Sequence, residues 1–280
     1  MNLHLTDHQY GKAQTRILKV IRGSQGRQIT EVKIDLVCRG DFDVAFSGDN
    51  RGLITTDTMK NLVRALAKTE SLEPIDDFGC QVSEQFLRRY RQITQVELSI
   101  LETPWSAVRS TGQSVATTFE RQAGKRVSMV SASSDRCEVR SGIEGLELLK
   151  TWGSAFAGFL RDEYTTLGDV DDRLIRTRLS AWWNVASAKP AYSEIWRAAR
   201  RILVETFAAH ESRSVQHTLF AMAEAVLGDI PEIRQIHLSL PNLHCWEINL
   251  APFGLINDCQ LFEPIDEPFG TIEATVSRDE

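Results

Sequence analysis

Ser239-Leu240-Pro241-Asn242-Leu243-His244 stands between two alternating segments. Ile236, Leu238 and Leu240 are separated by His237 and Ser239 on the way in; Trp246, Ile248 and Leu250 are separated by Glu247 and Asn249 on the way out, with Cys245 ahead of them. A period of two on both sides predicts strand, break, strand, the last hairpin of the chain. Pro241 cannot donate to a sheet ladder, so it marks the break. Asn242 and His244 are two apart and fall on one side of an extended chain. Taken alone, they read as a turn amide and a half-buried strand imidazole.

Working outward, residues 10–21 and 28–38 predict a β-hairpin with Gly23 and Gly26 between its strands; Val32, Ile34 and Leu36 alternate there with Lys33 and Asp35. Met59, Leu62, Val63 and Leu66 have helical spacing, with Thr56 or Asp57 as the N-cap. A second helix is predicted over 75–90, a strand over 93–101 and a partner strand over 115–122. A second series follows. Residues 127–133 and 139–150 are strand-like, a loop or short helical region includes Phe156 to Arg173, and 179–187 is strand-like. Helices are predicted over 192–209 and from Ser214. Two halves of like order imply an internal duplication, residues 1–124 and 125–280. Each half is an α+β domain with an antiparallel four-stranded sheet and helices on one face. Such sheets leave free edges, and closing several into one barrel by oligomerisation pairs them.

A chain of 280 residues with 42% hydrophobic and 25% charged residues can bury substantial cores. The net charge of -6, with no long Lys/Arg run, excludes the basic stripe of a nucleic-acid binder. Cys38, Cys80, Cys137, Cys245 and Cys259 are odd in number and widely spaced. They support neither a disulfide framework nor a zinc site. No apolar run approaches the roughly 18 residues of a membrane span. The N-terminus has no charged and apolar leader pattern and the C-terminus no Ser-Lys-Leu signal. A soluble, cytoplasmic protein is expected.

Several segments carry a resemblance. They are Tyr10-Gly11-Lys12, Thr55-Thr56-Asp57-Thr58-Met59-Lys60-Asn61, and Gly158-Phe159-Leu160-Arg161-Asp162-Glu163-Tyr164-Thr165-Thr166-Leu167. Next come Asp172-Arg173, Ser214-Val215-Gln216, and the opening stretch with Glu247-Ile248. In this order and at these separations the chain resembles urate oxidase (uricase) over most of its length. The resemblance implies two tandem T-fold (tunnelling-fold) domains and a homotetramer enclosing a tunnel, with sites at subunit interfaces. It implies oxidation of urate by O2 to 5-hydroxyisourate and hydrogen peroxide, with no metal and no organic cofactor.

The same resemblance assigns the site residues. Arg173 and Gln216 face the purine edge: a guanidinium offers parallel donors and balances the anion, and an amide supplies one donor and one acceptor. Phe156, three residues before the Phe-Leu-Arg-Asp-Glu-Tyr string, stacks on the ring. The backbones of Val215 and Asp57 add amide contacts, Asp57 at a helix N-terminus whose N–H groups are free. Lys12, Thr56 and His244 form the catalytic set, a relay for the proton that urate must lose. Asn242 holds O2 and then peroxide, with Thr56 beside it, in the manner of an oxyanion hole. Many relatives carry Pro-His-x-His-x-Phe before the last strand of the first domain; here Gln113–Phe119 has no histidine. The competing readings are another T-fold enzyme acting on a pterin or purine, and a catalytically silent T-fold oligomer.

Overall fold

The computed structural model describes residues 3–23, 26–108, 117–186 and 190–279. The chain forms two compact units, Met1–Gly142 with Ala191–Ser193, and Ile143–Pro190 with Glu194–Glu280.

In the first unit, β1 (Tyr10–Gly23) and β2 (Gly26–Gly40) form the expected hairpin, followed by α1 (Thr56–Thr69), α2 (Ile75–Arg89) and β3 (Ile93–Thr103). Then come β4 (Trp105–Val108), β5 (Thr118–Arg121), β6 (Lys125–Ser133) and the start of β7 (Cys137–Lys150). The antiparallel sheet runs β1-β2-β3-β6. Val32, Ile34, Leu36 and Cys38, every second residue of β2, are buried with Met59 and Val63 of α1 and Phe78, Val82 and Phe86 of α2. Period two on the strand and period 3.6 on the helices therefore meet in one layer. Gly79 lets α2 approach β6 closely, since a Cβ there would lie 2.6 Å from Val130 Cγ2.

The expected strand over 115–122 differs. Residues 115 and 116 lie outside the described residues, as do 113 and 114 of the Gln113–Phe119 stretch. Thr118–Arg121 pair with β4, and the partner of β3 is β6. That pairing holds β6 in the first unit, and the two compact units part inside β7.

Charged groups collect at the rim of this core. Asp76 and Arg126 are 0% and 5% exposed, and Arg126 Nη2 donates to Asp76 Oδ2 at 2.5 Å. Glu102 lies 4.0 Å from Arg126 Nη1. Burial pushes the Glu102 carboxyl up to about 7; Arg126 opposes this, while Glu73 and Asp76 add to it. An unfolded glutamate titrates near 4.3, so between those values the folded chain holds a proton that the unfolded chain has released. Stability from protonated Glu102 is complete below about 4.3 and is lost as pH rises through about 7. Glu102→Gln should therefore unfold at higher urea than the wild type at pH 8, by on the order of 3 kcal/mol, with the gap closing toward pH 5. A gap independent of pH would exclude Glu102 as its source.

In the second unit, β7 ends and β8 (Ile175–Val185), α3 (Tyr192–Ala209), α4 (Val215–Asp229) and β9 (Ile233–Ser239) follow. Short strands β10 (Asn242–Leu243), β11 (Cys245–Glu247), β12 (Phe262–Pro264) and β13 (Glu273–Ser277) complete it. Here the sheet order is β7-β8-β9-β13, and Leu179, Trp183, Ile236 and Leu238 pack under Leu203, Met222 and Val226. β8 begins four residues earlier than the alternation from Leu179 predicts. Ile175 and Thr177 are buried, but Arg176 and Arg178, one after each, obscure the pattern. Ser187 of the expected strand lies outside the described residues. No helix forms over Phe156–Arg173; instead Phe156 and Val170 exchange backbone hydrogen bonds at 2.8 and 2.9 Å. Among the described residues no helix is long and apolar enough to cross a membrane.

The opening stretch is not a hairpin. β9 and β10 pair with the same strand in the same register, Ser239 opposite Ser180 and Asn242 opposite Thr177. On the other side Leu240 N donates to Ile272 O and Asn242 N to Gly270 O, both at 2.8 Å. The chain thus runs straight through, and the ladder is interrupted because Pro241 has no N–H.

Candidate functional site

In the first unit, Lys12 sits on β1 opposite Leu36, just before a bulge that spans Lys12 to Thr15. Gln14 in that bulge has φ 61, and its N–H donates to Asp35 Oδ1 at 2.5 Å. Gly11 permits the approach of β1 to β2, because a Cβ there would lie 1.9 Å from Leu36 O. The Tyr10 hydroxyl accepts from Ile54 N at 3.1 Å, which ties the start of β1 to the loop that enters α1. This link carries Lys12 toward the N-terminus of α1, and the Lys12 charge contributes to lowering the Asp57 carboxyl. The larger causes there are hydrogen bonding and attraction from Lys60.

The N-cap of α1 is Thr55, not Thr56 or Asp57. Thr55 is extended (φ -62, ψ 143) and its hydroxyl accepts from Thr58 N at 3.1 Å, while Thr56 and Asp57 are already helical. The cap is thus supplied one residue earlier. Among the described residues the Thr56 hydroxyl makes no hydrogen bond within the chain. Asp57 binds Lys60 and Asn61 with its carboxylate, leaving its backbone N–H at the open end of the helix.

In the second unit, a knot of backbone and small polar groups gathers four of the expected residues. Arg173 N donates to Ser154 O at 2.7 Å, and Ser154 N to Asp172 Oδ1 at 3.0 Å. Ala155 N donates to Ser212 O at 2.8 Å, and Ser212 Oγ to Ser214 O at 3.0 Å. Ser214 caps α4 by accepting from His217 N. Val215 and Gln216 are therefore the first residues of a helix whose start is tied, through Ser212 and Ser214, to the segment that carries Phe156 and Arg173.

The Arg173 guanidinium lies 4.8 Å from the Phe156 ring centroid. Its Nε is buried with no hydrogen-bond partner among the described residues, and burial lowers its pKa. A buried N–H donor without a partner is costly, and an anion bound there would complete it. Phe156 also stacks on Phe159, with centroids 4.9 Å apart and planes 12° apart, and Arg161 lies over Phe159. The string thus holds Phe159 as a backing ring. Asn242 and His244 are half-buried on either side of buried Leu243. Asn242 is held between Thr177 and Gly270, and the His244 carbonyl accepts from Ile265 N at 2.8 Å. β10 leads His244 toward the end of β8 that starts just after Arg173.

The expected residues therefore fall into two groups. Lys12, Thr56 and Asp57 belong to the first unit; Phe156, Arg173, Val215, Gln216, Asn242 and His244 belong to the second. The sequence reading passes over Ser154, Asp172's side chain, Ser212 and the Tyr10 hydroxyl. Small polar residues in loops carry no periodic signal, although Tyr10 and Asp172 do stand inside the segments singled out above. Among the described residues no three His, Cys, Asp or Glu side chains converge as metal ligands.

A family model described as Uricase matches residues 8–130 and 139–273. The chain is 34% identical over 279 residues to a uricase of Dictyostelium discoideum, covering 98% of this chain and 97% of that one. It is 33% identical over 277 residues to a uricase of Arthrobacter globiformis, covering 98% and 90%. The crystal structure of an Arthrobacter globiformis uricase superposes with a TM-score of 0.92 at 33% identity, covering 100% of this chain and 96% of that one.

Proposed function

The chain belongs to the uricase family and oxidises urate, and we propose that it does so with O2 as acceptor, at a site made from the two residue groups described above, without metal or organic cofactor. Urate, O2 and water give 5-hydroxyisourate and hydrogen peroxide. The observation that carries the assignment is the half-buried Arg173, whose guanidinium stands over the Phe156 ring and whose buried Nε donor is unused among the described residues.

In this reading the urate anion completes Arg173, whose parallel donors meet a ring carbonyl and nitrogen. Gln216 and the Val215 amide read the remaining polar edge, and Phe156 supplies the stacking surface. Lys12 and Thr56 take the proton that leaves urate before electron transfer, with the Thr56 hydroxyl as conduit and the Lys12 amine as acceptor. The Asp57 N–H holds a further urate oxygen. Asn242 donates to the developing peroxide and His244 extends the relay.

The active assembly is a homotetramer in which the Lys12–Thr56 group of one subunit serves the Arg173 group of another, around a tunnel. Leu160, Tyr164, Phe253 and Ile256 are 85%, 83%, 74% and 83% exposed, which is apolar surface of the kind that subunit contacts cover. The compartment is the cytoplasm, in keeping with five cysteines held as free thiols.

Purified protein treated with chelator and given urate in air should lose urate absorbance and release one peroxide per urate consumed. No loss of urate would overturn the site assignment. Activity that returns only with zinc would favour a metal-dependent relative.

A further inference from the structure

We propose that Cys80 and Cys137 form a peroxide-responsive dithiol, an oxidation site at the junction of α2 and β7 that closes to a disulfide. The proposal rests on the urate-oxidation reading for the source of its oxidant, hydrogen peroxide.

Cys80 lies in the second turn of α2 and Cys137 is the first residue of β7, 57 positions later. Their sulfurs are 2.7 Å apart although neither is bonded. A disulfide needs about 2.0 Å between sulfurs, so only a small closing movement separates the two states. Both belong to the first unit. Cys137 is exposed and Cys80 half-buried, at a groove of about 770 Å³ lined also by Asp77, Gln81, Glu84 and Arg88. Peroxide can therefore reach Cys137 first.

The two thiols are unequal. A hydrogen bond from Cys80 favours the Cys137 thiolate and lowers its pKa. The same bond, followed by burial and by the charges of Cys137, Asp77 and Asp76, pushes Cys80 up. This is the pattern of an attacking thiolate beside a resolving thiol. Cys38 is a contrast: buried, with its thiol pushed up to about 12.

The chemistry balances in two steps. The Cys137 thiolate attacks one peroxide oxygen, the O–O bond breaks, and the leaving hydroxide takes a proton to become water, giving a sulfenic acid. Cys80 then attacks the Cys137 sulfur; the S–S bond forms, the S–O bond breaks, and the hydroxyl leaves with the Cys80 proton as a second water. Two thiols lose two electrons and peroxide is reduced to two waters. Closure protects Cys137 from over-oxidation and ties α2 to β7 across a long loop.

The test uses fully reduced protein and hydrogen peroxide added without urate, so it does not depend on turnover. Free-thiol titration should fall from five to three, and peptide mapping should find a Cys80–Cys137 link that reductant reverses. The unfolding midpoint should rise by about 5–10 °C. Cys80→Ser should trap a dimedone-reactive sulfenic acid on Cys137, whereas Cys137→Ser should leave Cys80 unlabelled. Five retained thiols, or a link between other cysteines, would overturn the proposal. A second arm replaces peroxide with urate, with and without catalase. If peroxide links the pair and urate does not, the dithiol stands and the urate-oxidation reading fails.

Discussion

Lys12→Met lowers kcat for urate by about 10²–10⁴-fold and leaves urate affinity nearly unchanged. Methionine keeps the length and apolar stem of lysine at a half-buried strand position, so β1 still pairs with β2 through Leu36. What disappears is the amine. Thr56 alone cannot accept the proton of bound urate, because an alkyl hydroxyl is too weak a base unless a neighbour drains its proton. The urate anion still meets Arg173, Gln216 and Phe156, which is why binding persists. Kd is read anaerobically and kcat in air. Lys60→Met serves as the control, since Lys60 pairs with the Asp57 carboxylate and has no place in the relay. Equal losses of kcat and affinity in Lys12→Met, or a comparable kcat loss in Lys60→Met, would remove Lys12 from the relay.

Arg126→Met lowers the unfolding free energy by about 3–5 kcal/mol. The variant buries Asp76 without its cation. Asp76 is 0% exposed, accepts from Arg126 Nη2 and from Ser141 Oγ, each at 2.5 Å, and lies in the first turn of α2. Arg126 also donates to Ser193 Oγ at 3.1 Å. The helix N-terminus and Ser141 offset only part of the cost of an uncompensated buried carboxylate. Adding Asp76→Asn should recover a substantial share, because the two changes are coupled through one contact. Urea unfolding of the four proteins measures this. A deficit that the double variant does not reduce would assign the effect to packing instead.

Much of the fold is legible in local periodicity. Val32, Ile34 and Leu36 specify a strand, and Ile195, Ala199 and Leu203 a helix, because each reads its own spacing against one buried face. Pairing is less legible. The alternation on both sides of Pro241 is real, yet β9 and β10 run on in one register; a proline-interrupted strand and a hairpin leave the same pattern. Arg176 and Arg178 hide the start of β8, because long charged side chains do not look like strand formers.

By itself, the sequence determined the order of strands and helices in the two halves, the family, and the functional groups on hand: a lysine, a threonine, an arginine, an amide pair and an imidazole. These depend on residue type and short spacing. Only the tertiary structure decided that Ser154, Asp172 and Ser212 bring Phe156 and Arg173 to the start of α4. It alone set Cys80 against Cys137. Those outcomes rest on hydrogen bonds and contacts between residues up to 58 positions apart, as between Ser154 and Ser212. Closing such distances is a property of the whole packed chain, and no local pattern of side chains encodes it.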